Sequence, residues 1–135
     1  MERGQYPIGE AKMVGLSPLE AAVLQEHCNQ LGPQDAAALR AQISDVSVLS
    51  RKNTGAGFFT YFSIEKDSVP QIRSDTRDCC VAAKINGVEN ALGFILWLKD
   101  GYIDFLEGYT MALEGGTSDL DFAALDFELR SSPPA

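Results

Sequence analysis

The hydrophobic period of this chain changes once. Up to about residue 44 apolar side chains recur at three- and four-residue steps, and from Ser44 onward they recur at every second residue. Helices gathered ahead of strands exclude a doubly wound parallel sheet, in which the two alternate. The expected architecture is α+β, an N-terminal helical hairpin packed on a mostly antiparallel, curved sheet of about six strands. The hairpin carries a single apolar stripe, so it must lie on one face of that sheet.

The helical part has sharp boundaries. Ser17-Pro18-Leu19-Glu20 sets Ser at the N-cap, Pro at the first helical position and Glu at the third, where its carboxylate can return the cap bond. That helix runs to Asn29 or Gln30 and stops at Gly32, with Leu19, Val23, Leu24, Cys28 and Leu31 on one stripe. A second starts at Pro33 and presents Ala36, Leu39 and Ile43 on one face. Residues 1–15, with Gly4, Pro7, Gly9 and Gly15, read as a flexible arm; 16–130 read as one domain and 131–135 as a disordered tail.

The strands follow from alternation. Val46–Arg51 leads through Gly55-Ala56-Gly57 to Phe58–Ile64, where Phe58, Thr60 and Phe62 share one face and Phe59 and Tyr61 the other. Glu65–Asp78 is a charged loop and Cys79–Ile85 the next strand, closed by Asn86-Gly87. Ala91–Leu98 and Tyr102–Tyr109 form the clearest hairpin. Asp100-Gly101 as a two-residue type I′ turn is preferred to a three-residue Lys99-Asp100-Gly101 loop with a bulge, which would set Asp104 opposite Leu96 among apolar neighbours. The two-residue turn sets Leu98 opposite Ile103, Leu96 opposite Phe105 and Phe94 opposite Glu107. Leu125–Leu129 alternates apolar and acidic residues, as an edge strand does.

Composition limits the function classes. The net charge is −8, from 11 Lys and Arg against 19 Asp and Glu, which opposes nucleic-acid binding. The longest apolar run, Ala91–Leu98, is of strand length, so no membrane span is expected. No apolar leader follows Met1. Cys28, Cys79 and Cys80 form neither a zinc-ligand spacing nor a disulfide framework and read as reduced thiols of a cytoplasmic protein. No cofactor motif stands out: Gly55-Ala56-Gly57 lacks the third glycine and the following helix of a dinucleotide fingerprint. The one histidine, His27, adjoins Cys28 on a helix, where neighbours do not face each other, so it reads as a surface or partly packed side chain rather than a catalytic base.

Among the acids Glu107 stands apart. Unbroken alternation puts it on the face of Ile103 and Phe105, where either the strand reaches the rim and the carboxylate stands in water, or it is buried and needs a cation or several hydrogen bonds. Arg51, Arg40 and the Tyr109 hydroxyl are the candidate partners. Trp97, with Phe58 and Phe62, is the candidate wall of a pocket between helices and sheet anchored by Glu107.

Thr54-Gly55-Ala56-Gly57-Phe58-Phe59-Thr60, Gly93-Phe94-Ile95-Leu96-Trp97 and Asp100-Gly101 through Leu106-Glu107-Gly108-Tyr109-Thr110 together resemble a group of small uncharacterised bacterial proteins. That group shares a Gly-x-Gly-Phe-Phe-Thr strand and a Gly-Phe-…-Asp-Gly-…-Leu-Glu-Gly-Tyr hairpin. The resemblance spans about residues 46–129 and implies this fold and a bacterial, cytoplasmic origin, with no assigned activity. Two functional expectations stand. One is a non-enzymatic interaction protein of immunity or regulatory type, whose acidic surface engages a basic partner and whose 125–129 edge offers a second copy a place to pair. The other is a small-molecule binding domain or minimal enzyme anchored by Glu107.

Overall fold

The computed structural model describes residues 15–76, 81–85, 91–110, 117 and 127–131. Two helices, α1 (Pro18–Asn29) and α2 (Pro33–Asp45), precede six strands: β1 (Ser47–Asn53), β2 (Gly57–Ser63), β3 (Val81–Ile85), β4 (Leu92–Lys99), β5 (Tyr102–Thr110) and β6 (Phe127–Ser131). The strands form one open sheet in the order β1-β2-β5-β4-β3-β6, antiparallel throughout. The fold is α+β. No helix among the described residues is long and apolar enough to cross a membrane. The N-terminal arm (all but Gly15), Cys79, Cys80, the Asn86-Gly87 turn and residues 132–135 lie outside the described residues, as do Leu125 and Asp126; Ser131 ends β6 rather than opening a tail.

Both helices pack on one face. The core joins Leu19, Val23, Leu24 and Cys28 of α1 and Leu39 of α2 to Phe58, Phe62, Ile85, Leu92, Phe94, Leu96, Ile103 and Leu106. Each fully buried leucine here contributes roughly 2 kcal/mol. The capping box forms as its residues require, with Glu20 N–H donating to Ser17 Oγ at 3.1 Å and Ser17 N–H to Glu20 Oε1 at 2.8 Å.

The β4–β5 hairpin departs from the expected register. Its turn is the two-residue one, with Asp100 and Gly101 at φ 56° and 85° and Lys99 opposite Tyr102. Leu98 pairs with Ile103, but Trp97 pairs with Phe105, so Asp104 is an extra residue on β5. Leu96 therefore faces Leu106 and Phe94 faces Gly108, not Phe105 and Glu107. The bulge turns both Ile103 and Leu106 into the core and moves Phe105 and Glu107 to the face away from the helices. Unbroken alternation would have left a carboxylate beside buried Phe94, at the desolvation cost of an ion in an apolar layer.

A second irregularity sits on the edge strand. Val48 pairs with Phe62 and Ser50 with Tyr61, leaving Leu49 bulged and 67% exposed. Beyond it Arg51 lies opposite Thr60, both on the helix side.

Candidate functional site

On the face away from the helices, Glu107 occupies the centre of an aromatic field. Phe59 and Ile95 stand beside it on β2 and β4, Phe105 and Tyr109 flank it along β5, and Tyr61 and Trp97 lie at the diagonals. These side chains touch in a row: Trp97 stacks on Phe105 at 5.7 Å between centroids, and Phe105 meets Tyr61 at 5.6 Å and Phe59 at 5.8 Å. Trp97 Nε1–H donates to Glu107 Oε1 at 2.9 Å. Glu107 is half-buried, and its Oε2 accepts no bond from the described residues. A carboxylate among rings, with one oxygen held by an indole N–H and the other reaching solvent, is a surface group that a cation on a partner can pair with. On this face the next basic position past Phe59 is Lys52, exposed on edge strand β1.

Two glycines shape this surface. A Cβ on Gly93 would stand 2.4 Å from Cζ of Tyr109, so the bare β4 backbone is the bed on which the Tyr109 ring lies, 38% exposed. Gly108 does the same on the opposite face, where a Cβ would meet the Phe58 ring at 2.4 Å.

Of the sequence-derived candidates, Glu107, Trp97 and Tyr109 come together, and Arg51 does not join them. Arg51 points to the helix side and holds Glu20, whose side chain is fully buried. Arg51 Nε donates to Glu20 Oε2 and Nη2 to Oε1, each at 2.8 Å, and Nη2 also reaches Gly15 O. Thr60 Oγ1 donates to Glu20 Oε2 at 2.6 Å, and with the Ser17 amide the carboxylate is surrounded by donors. The acid that needed Arg51 is thus the capping residue of α1, not Glu107. Phe58 and Phe62 are core residues on that same side, so they share no pocket with Trp97 and Glu107.

A separate cleft of about 480 Å³ opens between the 72–75 segment and the turn end of the hairpin, lined by Ile72, Arg73, Ser74, Asp75, Trp97, Leu98 and Gly101. Asp35 of α2 anchors that segment by accepting from the amides of Arg73 and Ser74 and from the Ser74 hydroxyl. The Ser74 hydroxyl bond first, then the Arg73 amide, holds the Asp35 carboxyl below its usual range.

His27 is fully buried, not on the surface. One ring nitrogen, Nδ1, lies 2.9 Å from Val23 O, and Nε2 has no partner among the described residues. Desolvation pushes its pKa down, and burial pushes the Cys28 thiol up. Neither is placed for chemistry at a surface. Among the described residues no three His, Cys, Asp or Glu side chains gather as a metal site.

Sequence reasoning placed Phe59 and Tyr61 correctly on the face opposite Phe58 but put Phe105 in the core. Nothing in the alternation of β5 marks Asp104 as a bulge. No family model, no curated protein and no solved structure matches this chain.

Proposed function

We propose that the protein is a non-enzymatic interaction module that docks a basic partner protein on the face of its sheet away from α1 and α2. One observation carries the reading: the Glu107 carboxylate is fixed through Oε1 by Trp97, takes no bond on Oε2 from the described residues, and stands among aromatic side chains. The net charge of −8 supports it by drawing a cationic partner toward the molecule over roughly a Debye length, about 8–10 Å in physiological salt. The burial of the only histidine also favours binding over acid–base catalysis, because the imidazole is withdrawn from any surface substrate. An immunity or regulatory role within a bacterial cytoplasm fits such a module. The β6 edge, where Phe127–Ser131 pairs with β3 alone among the described residues, gives a second copy a strand to extend.

Trp97 is the only tryptophan, so its emission reads this face directly. A decapeptide of mixed lysine and arginine should change that emission saturably, and an acidic peptide of the same length should not. The affinity should fall steeply between about 50 and 500 mM salt and collapse in Glu107→Gln, whose fold is unchanged. Binding that ignores salt and the Glu107 substitution would overturn the reading.

The cleft beside Trp97 favours a second reading, a small-molecule site walled by Trp97 and Leu98 with Arg73 and Asp75 as its polar groups. A ligand taken there should depend on Arg73 and be indifferent to Glu107→Gln.

A further inference from the structure

We infer that the group this face selects is a guanidinium, so that the basic partner is held by an arginine side chain rather than a lysine. The inference rests on the docking role proposed for Glu107 and adds the chemistry of the occupant.

Three features argue for it. First, whatever cation reaches Glu107 Oε2 is pressed against Phe59, Phe105 and Ile95 and loses water there. An ammonium is a compact, strongly hydrated charge, whereas a guanidinium is planar and weakly hydrated, so its transfer to an aromatic surround costs less. Second, the shape of the donor matters. Trp97 donates to Oε1, and Oε2 accepts no bond from the described residues. An ammonium spreads its three N–H groups tetrahedrally, so pairing one with Oε2 turns others toward the rings, while a planar guanidinium can donate one edge and keep its remaining N–H groups in its own plane, turned outward. Third, the rings are already ordered. Phe105 is held between Trp97 on one side and Phe59 and Tyr61 on the other, so the flat ion meets surfaces that do not have to be organised on binding.

The molecule contains its own example of the pairing. On the helix face Glu20 is closed by the two-pronged guanidinium of Arg51. Glu107 is the opposite case, a carboxylate oriented by one neighbour, with no bond from the described residues on Oε2. Trp97 acts here as a positioning residue, since its indole N–H fixes which oxygen remains open.

The test uses the whole chain and two capped tripeptides, Gly-Arg-Gly and Gly-Lys-Gly, followed by Trp97 emission and by the indole N–H resonance at constant ionic strength. The arginine peptide should bind about tenfold more tightly than the lysine peptide. That preference should vanish in Glu107→Gln and shrink in Phe105→Leu, each verified as folded by its melting profile. Equal binding of the two peptides, still lost in Glu107→Gln, would overturn the guanidinium selection and leave the docking of a basic partner standing. Signals from neither peptide, or arginine binding that survives Glu107→Gln, would overturn both.

Discussion

Arg51 and Glu20 meet in a two-pronged pair, Nε on Oε2 and Nη2 on Oε1, both at 2.8 Å, which fastens edge strand β1 to the first turn of α1. The carboxylate is fully buried and the guanidinium side chain 28% exposed, so removing the acid strands more than one donor. Glu20→Ala should cost about 4 kcal/mol in urea unfolding, because Thr60, Arg51 and the Ser17 amide all lose their acceptor. Glu20→Gln, which keeps the shape and part of the bonding, should cost about half as much. Replacing both partners by methionine should recover most of the loss, since no buried charge is then left unpaired. A Glu20→Ala protein as stable as the parent would show that this pair contributes nothing net.

Gln42 of α2 is the second polar tie. Its Oε1 accepts from Ile103 N at 2.9 Å, and its Nε2 donates to Gly101 O at 3.0 Å and Pro70 O at 2.7 Å. One fully buried amide thus serves the start of β5, the hairpin turn and the 70–72 segment together. Gln42→Ala should lower stability by about 3 kcal/mol, through unsatisfied backbone groups more than lost volume. Hydrogen exchange should locate the damage: the Ile103 amide, which donates to Gln42, and the Ile72 amide, which donates to the Gly101 carbonyl, should lose protection while those of the β1–β2 pair keep it. Uniform loss of protection would mean that the tie is not local.

How far the sequence reveals this molecule depends on whether local chemistry or register decides. The Ser17–Glu20 cap, the Asp100-Gly101 turn and the segregation of helices from strands all follow from residues adjacent in sequence, and the structure agrees with each. The face of Glu107 does not, because it depends on whether β5 keeps strict alternation past Asp104. Core packing overrode that alternation by drawing Ile103 and Leu106 inward together. Arg51 was legible as a residue in need of an acid, but the acid lay 31 positions upstream in a helix cap. Only the β1–β2 pairing, which brings Arg51 opposite Thr60 under α1, reveals Glu20 as its partner.

Three glycines should differ in what a methyl costs, in an order set by what the methyl meets. At Gly57 it would lie 2.0 Å from the carbonyl oxygen of Gly108, a backbone atom of the paired strand that cannot step aside. At Gly108 it would strike the buried Phe58 ring at 2.4 Å, and at Gly93 the exposed Tyr109 ring at 2.4 Å. Gly57→Ala should therefore be the most damaging, at roughly 3 kcal/mol or more, followed by Gly108→Ala. Gly93→Ala should be the mildest, because Tyr109 can swing into water. Thermal melts of the three variants give the ranking, and Gly93→Ala as the worst of them would mean that Tyr109 is held more firmly than its exposure implies.

The buried imidazole of His27 should make stability depend on pH in a way that a single substitution removes. Desolvation is the main cause of its lowered pKa, opposed by the Val23 carbonyl and the nearby Glu26 carboxylate, so the ring is neutral in the folded protein. In the unfolded chain it titrates near its ordinary value of about 6.5. Below that pH the unfolded state binds a proton that the folded state refuses, and stability must fall as pH falls. The contribution is complete above about pH 6.5 and declines on acidification until the depressed folded pKa is reached. No other histidine exists to share this window. Urea midpoints taken from pH 8 down to pH 5 should therefore decline with a slope approaching that of one proton. His27→Leu keeps the apolar volume and leaves the Val23 carbonyl its helix partner, so it should flatten the profile over that range. An equal slope in the variant would place the titrating group elsewhere and show that the imidazole is charged, or released to water, in the folded state.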